Sequence, residues 1–77
     1  MDELLEYLVR SLVDRPEEVS VESIEEDDGT LVLELRVADD DTGKVIGRGG
    51  RTVAALRTVV KAAAVRGGQR VLVDVVD

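Results

Sequence analysis

The fold is decided by the stretch Val45-Ile46-Gly47-Arg48-Gly49-Gly50-Arg51-Thr52-Val53, which places three glycines in four positions. Helical patterns flank these glycines: a short one that ends at Gly47 and a longer one that runs from Thr52 to Gly67-Gly68. Glycine adopts the backbone conformations of a sharp helix–helix turn without a Cβ penalty. Free N–H groups at the start of the second helix attract negative charge, and Arg48 and Arg51 can add charge-assisted hydrogen bonds. The loop therefore predicts a phosphate-binding turn, with a plain glycine-stabilised turn as the alternative.

Two established glycine motifs do not fit this loop. A P-loop requires a glycine that four spacer residues separate from Gly-Lys-Ser/Thr, but Ala38 stands at that place and Val45 follows Lys44. A dinucleotide fingerprint requires Gly-x-Gly-x-x-Gly directly after a strand, whereas these glycines follow a short helical segment and lack that spacing. Both nucleotide-binding folds are therefore excluded.

An acidic run, Asp39-Asp40-Asp41-Thr42, precedes the short helix. It lacks the alternating ligands and the glycine of a calcium loop, so a metal site is the weaker interpretation. Aspartate and threonine are favoured at helix N-caps, and the run is therefore predicted to cap the short helix.

Two strands are predicted before the acidic run. In residues 31–37 every second side chain is Leu or Val, which is the period of a half-buried strand. The segment from Val19 to Glu26 is rich in β-branched residues and leads into Asp28-Gly29, a hairpin signal, so the two strands should pair antiparallel. The apolar residues of the first strand break the period of two once, which predicts a β-bulge near Glu22 and Ser23.

The two ends of the chain supply one helix and one strand. Apolar side chains recur at intervals of three and four in residues 2–14, which predicts a helix that Pro16 terminates by restricting Arg15. Residues 70–76 are dense in valine and predict a third strand. The predicted order of elements is α-β-β-α-α-β.

Charge is distributed unevenly along a chain whose net charge is −7. Positions 1–43 carry fifteen carboxylates and three arginines, a net charge of −12, whereas positions 44–70 carry seven basic residues and no acid. Nucleic-acid binding requires a basic footprint, and the segment around the glycine loop supplies one. Within that segment Arg57, Lys61 and Arg66 are interpreted as a solvated helix face rather than as part of the site.

Composition restricts the function classes further. Seventy-seven residues make a single domain, 1–77, with an aliphatic core, because Tyr7 is the only aromatic residue. The chain lacks Cys and His and shows no nucleophile–base pair, so we predict no enzymatic activity and no cofactor. It begins Met1-Asp2-Glu3, and no apolar run approaches the roughly 20 residues of a membrane span, which predicts a soluble, cytoplasmic protein.

The apolar pair, the Gly-x-x-Gly loop and Val53 together resemble the signature of KH domains, which clamp about four nucleotides of single-stranded nucleic acid at that loop. The predicted order of elements resembles the type II, prokaryotic form. This resemblance implies an α+β, type II KH fold with a three-stranded mixed sheet packed against helices on one face. The length, the acidic N-terminal helix and the run from Thr42 to Thr52 resemble the short bacterial single-KH proteins of the KhpA-like family.

The resemblance implies a set of RNA-binding residues: Lys44, Val45, Ile46, Gly47, Arg48, Gly49, Gly50, Arg51 and Thr52. The glycine loop is the backbone clamp, Lys44 and Arg51 flank it with positive charge, and Val45 and Ile46 are divided between the core and the floor beneath the bases. Gly67-Gly68-Gln69 corresponds to the variable loop of type II domains, and its shortness predicts weak sequence discrimination.

The implied partners are single-stranded RNA and either a second copy of the chain or a larger KH-containing protein of the KhpB or Jag type, with an influence on cell growth and division. An alternative from another class is a KH-fold protein–protein interaction module with little RNA binding of its own. Modules that stack bases on aromatic platforms are disfavoured, because the loop region has no aromatic side chain.

Overall fold

The computed structural model describes residues 1–76, with three α-helices and three β-strands in the predicted order. The helices are α1 (Asp2–Arg10), α2 (Thr42–Ile46) and α3 (Arg51–Arg66), and the strands are β1 (Ser20–Glu25), β2 (Leu31–Arg36) and β3 (Val71–Val75). Short 3-10 turns occupy Pro16–Glu18, Asp39–Asp41 and Arg48–Gly50.

The three strands form one mixed sheet in the order β1-β2-β3. β1 pairs antiparallel with β2, with Ser20 opposite Arg36, and β2 pairs parallel with β3, with Leu31 opposite Val71. A parallel pair needs a long crossover connection, which α2 and α3 supply. The predicted type II KH topology is therefore confirmed.

The helices cover only one face of this sheet. Leu33, Leu35, Val71 and Val73 are buried, whereas Leu72 on the opposite face is 45% exposed. This alternation is the signature of a strand with one packed and one open face. The aliphatic core consists of Leu5, Val9, Val19, Leu33, Leu35, Val45, Leu56, Val60, Ala64, Val71 and Val73.

β1 is regular, so the predicted bulge near Glu22 and Ser23 is wrong. Its register against β2 is continuous from Ser20 to Glu25. The apolar period breaks because Val21 packs against the core while Ile24 lies on the open face, 41% exposed. The sequence shows that the apolar residues of β1 change from one face to the other, but it does not show that the strand stays regular while they do so.

α1 ends at Arg10, four residues before the predicted boundary. The Ser11 hydroxyl donates a hydrogen bond to the Tyr7 carbonyl at 3.0 Å, and the Leu12 N–H donates to the Val9 carbonyl at 2.9 Å, which tightens the last turn. Apolar residues keep their helical spacing beyond Arg10, but the backbone N–H groups of Asp14 and Arg15 bond to the Asp41 carboxylate instead of continuing the helix.

Asp41 occupies the N-cap position of α2, as predicted, but its side chain makes no capping hydrogen bond to that helix. The Asp41 side chain is 1% exposed, and its carboxylate accepts hydrogen bonds from the N–H groups of Asp14 at 3.1 Å and Arg15 at 3.0 Å. A buried carboxylate is stabilised by such charge-assisted bonds. Asp41 therefore fixes the segment after α1 beside the start of α2.

Candidate nucleic-acid interface

Three glycines with positive φ carry the chain from α2 to α3. Gly47 has φ 76° and ψ 171°, Gly49 has φ 64° and Gly50 has φ 76°. The Gly47 N–H donates to the Gly43 carbonyl at 2.9 Å, and the Gly50 N–H donates to the Gly47 carbonyl at 3.1 Å. A Cβ is costly at these angles, so the prediction of a glycine-dependent turn between two helices is confirmed.

The three glycines differ in what surrounds them. A Cβ on Gly47 would lie 2.2 Å from Thr52 Oγ1 and 2.9 Å from the Thr52 backbone nitrogen, distances that side-chain packing does not allow. A Cβ on Gly49 or Gly50 would meet no atom within 4 Å. Thr52 therefore closes the turn from inside, while Gly49 and Gly50 present open backbone to a ligand.

The N-terminus of α3 adjoins this open backbone. No side chain caps the helix, its first turn contains no acidic residue, and both Arg48 and Arg51 are exposed. The first N–H groups of a helix lack intrahelical acceptors, and the dipole of a 16-residue helix adds positive character at this end. The arrangement suits an anion and disfavours a cation.

Lys44, the third predicted cation, is paired with an acidic side chain. Its ammonium group forms an ion pair with the Asp14 carboxylate, and this hydrogen bond raises the pKa of Lys44. Within residues 1–76 neither Arg48 nor Arg51 forms an ion pair. A phosphate must therefore displace Asp14 to reach Lys44, but it meets the two arginines directly.

The two apolar residues before the loop differ in their burial. Val45 is fully buried and belongs to the core, whereas Ile46 is 39% exposed beside the glycine turn. Only Ile46 is accessible to a ligand, and Val45 holds α2 in place from below.

A second feature lies between α3 and β3. The Arg57 Nε donates a hydrogen bond to the Val73 carbonyl at 3.2 Å, so Arg57 reaches the free edge of β3 and does not belong to a purely solvated helix face. Alternate residues of a parallel edge strand direct their backbone groups outward. Leu31 N–H donates to the Arg70 carbonyl, which places the outward backbone groups on Val71, Val73 and Val75.

An apolar groove of about 440 Å³ separates α1 from α3. It adjoins the loop, because Arg51 and Thr52 form one of its ends. Its lining residues are Leu8, Ser11, Leu12, Arg51, Thr52, Ala55, Leu56 and Val59. Leu12 falls within the helix predicted for residues 2–14 but lies beyond the end of α1, and Leu12 and Val59 are both exposed at this groove.

In the described part of the chain, no group of three or more acidic side chains is placed to hold a metal ion. In residues 1–76 no helix is both long and apolar enough to cross a bilayer. The Asp41 carboxylate, the buried member of the acidic run, is occupied by backbone N–H groups.

An exposed Gly-x-x-Gly turn between two helices, set on an α-β-β-α-α-β fold with a mixed sheet, defines a type II KH domain. The family model for the KhpA/KhpB KH domain matches residues 2–75. The chain therefore belongs to the KhpA/KhpB family.

Curated relatives support this assignment along the whole chain. A protein named RNA-binding protein KhpA from Clostridium acetobutylicum is 49% identical over 76 residues, which cover 99% of this chain and all of the relative. Its namesake from Streptomyces coelicolor is 54% identical over 77 residues, covering 100% of this chain and 92% of the relative. Among solved structures, Era from Aquifex aeolicus matches 96% of this chain with a TM-score of 0.65 and 18% identity. The match spans 28% of the Era chain and shows a shared fold.

Proposed function

We propose that the chain binds short single-stranded RNA and holds its sugar–phosphate backbone at Gly47–Gly50 and the first turn of α3. One observation carries the proposal: open glycine backbone at an uncapped helix N-terminus lies beside two arginines that have no acidic partner in residues 1–76. The relatives named RNA-binding protein KhpA support RNA as the ligand. No enzymatic step forms part of this proposal.

The bases extend from the loop into the groove between α3 and β3. The outward backbone groups of β3 supply donors and acceptors there, and Arg57 supplies a planar cation. The connection from α3 to β3 is short, because Arg66 ends the helix and Val71 begins the strand. A groove with such a low wall contacts few base edges, so we propose weak sequence discrimination.

Electrostatics orient the RNA on the protein. Arg48, Arg51 and Arg57 lie along the proposed path, whereas fifteen carboxylates fall in positions 1–43. With about two to four cations in reach, a single domain should bind with a Kd in the micromolar range at physiological salt. The acidic part of the chain repels RNA and favours the one orientation that faces the loop.

We also propose that the chain acts as a homodimer, or as a subunit beside a larger KH-containing protein of the KhpB or Jag type, in a process that affects growth or division. The apolar groove between α1 and α3 supports a second copy as its occupant, because Leu12 and Val59 are exposed next to the loop. A dimer presents two loops to one RNA and raises the effective affinity. Analytical ultracentrifugation tests this: Leu12→Asp should yield a monomer, and an unchanged dimer contradicts it.

The same apolar groove favours the second candidate function, a protein-docking KH domain with little affinity for RNA. The two candidates differ in their dependence on the loop. RNA binding requires the exposed backbone and charge at Arg48 and Gly49, whereas docking through the α1–α3 groove does not.

The double variant Arg48→Asp/Gly49→Asp tests the proposed function. Asp is tolerated at positive φ better than most residues, and position 49 has open space, so the fold should persist. Fluorescence anisotropy with a single-stranded RNA of mixed sequence should show at least a tenfold loss of affinity.

The matched control is Arg10→Asp/Gly29→Asp, which makes the same change of net charge on α1 and at a glycine of the β1–β2 turn that also has positive φ and open space. We expect this control to lose less than about threefold in affinity. Equal affinity of the loop variant and the parent would contradict RNA binding at the loop and would favour the docking function.

A further inference from the structure

The open face of the sheet, opposite the helices, carries an apolar row across all three strands. Ile24 lies opposite Val32 on β2, and Val32 lies opposite Leu72 on β3. Ile24 and Leu72 are 41% and 45% exposed, and Val32 between them is partly exposed. This row lies on the side of the sheet that no helix covers, away from the α1–α3 groove.

An acidic row runs beside the apolar one, two residues away from it on each strand. It consists of Glu22, Glu34 and Asp74, which are opposite one another in the strand registers. Arg36 is the cation next to them, with guanidinium nitrogens 3.9 Å from Glu22 and 3.8 Å from Glu34. Like charges opposite one another destabilise a sheet, and one arginine does not balance three carboxylates.

This charge pattern selects among possible occupants. RNA is repelled by the acidic row, and the row has no aromatic side chain for base stacking. A second copy that used the same face would bring two acidic rows together. A cationic protein segment relieves the repulsion and covers the apolar row at the same time.

We propose that the open face of the sheet is a docking surface for a short, basic amphipathic helix of another protein. Three strands span about 10 Å, which matches two helical turns. Apolar side chains at i, i+3 and i+7 of that helix contact Ile24, Val32 and Leu72. Lysine or arginine side chains along one flank of the helix face Glu22, Glu34 and Asp74.

Site-specific photocrosslinking tests this surface. A photoreactive amino acid replaces Leu72, and a second version of the full chain carries it at Tyr7, which is exposed on α1. Both are expressed in cells of the native host, irradiated and purified, and the crosslinked peptides are sequenced. We expect basic amphipathic protein segments at Leu72 and not at Tyr7.

Charge variants then show whether the acidic row is responsible. Glu34→Lys/Asp74→Lys should lower the crosslinking yield at Leu72 at least tenfold, and Glu34→Gln/Asp74→Asn should lower it without adding new repulsion. The control Glu17→Lys/Glu18→Lys makes the same net charge change in the exposed turn after α1 and should alter the yield less than twofold. Capture of RNA, a second copy or non-basic segments, or an absence of product at Leu72, overturns the proposal.

Discussion

Gly47 and Thr52 are so close that a Cβ at position 47 would lie 2.7 Å from the Thr52 Cβ and nearer still to its hydroxyl. Five residues apart in sequence, they close the turn that brings the end of α2 to the start of α3. The exposed backbone at Gly49 and Gly50 depends on this internal contact. The contact therefore links the stability of the fold to the shape of the proposed RNA site.

Replacement of Gly47 by alanine should destabilise the protein by about 3 kcal/mol, because it combines a disallowed backbone conformation with a steric clash. Gly49→Ala has a positive φ but open space, and it should cost about 1 kcal/mol. Urea unfolding measures both values. Equal losses for the two variants would contradict the role of the Thr52 contact.

Replacement of Asp41 by alanine should lower the free energy of unfolding by about 3 kcal/mol, because the N–H groups of Asp14 and Arg15 lose a buried, charged acceptor. Its neighbour Asp40 is exposed and lies 3.9 Å from Arg15, so Asp40→Ala should cost less than about 0.5 kcal/mol. Chemical denaturation of the two variants side by side tests the difference. A mild effect at position 41 would show that this carboxylate does not anchor the segment after α1.

The decrease in the free energy of unfolding at low pH should depend in part on Asp28. The Thr30 N–H donates to this carboxylate at 2.9 Å and holds the pKa of Asp28 below its ordinary value of 3.8. The contribution of Asp28 is therefore present above the unfolded-state pKa and is lost as pH falls through the lower, folded-state pKa. Asp28→Asn should flatten the loss of stability between roughly pH 5 and pH 2. Urea titrations in this range test it, with Asp27→Asn as control; identical slopes for parent and Asp28→Asn would refute it.

Replacement of Asp14 by asparagine should strengthen RNA binding about threefold, because an exposed ion pair that competes for Lys44 is worth up to about 1 kcal/mol. Glu17→Gln makes the same change of net charge in an exposed turn and serves as the control. Anisotropy titrations at fixed salt compare the two variants. If both variants gain the same RNA affinity, Lys44 does not contact the RNA and only the net charge of the protein affects binding.

Local sequence patterns are sufficient to predict the order of the helices and strands and the glycine turn. The alternation in residues 31–37 and the turn signal at Asp28-Gly29 act within a few residues, and both the strand and its antiparallel pairing are confirmed. The conformations of Gly47, Gly49 and Gly50 follow from the lack of a Cβ, which is a property of the residue itself.

The errors occur where distant segments meet. α1 was predicted to reach residue 14, but Asp41 binds the backbone of Asp14 and Arg15, and no local pattern announces a contact 27 residues away. The contact from Arg57 to Val73 depends likewise on the position of β3, so the sequence predicts only a solvated helix face for Arg57. The Lys44–Asp14 ion pair also joins residues that are distant in sequence, so no local pattern predicts it. Tertiary contacts thus decide which predicted cations are available to RNA.

The most direct test of RNA binding at the loop is an NMR titration of the isotopically labelled protein with a short single-stranded RNA of mixed sequence. We predict that amide shifts change at Gly47–Thr52 and along Val71–Val75, while those of Glu22 and Glu34 on the open sheet face stay constant. Shifts confined to that face, or none at saturating RNA, would contradict the proposed function.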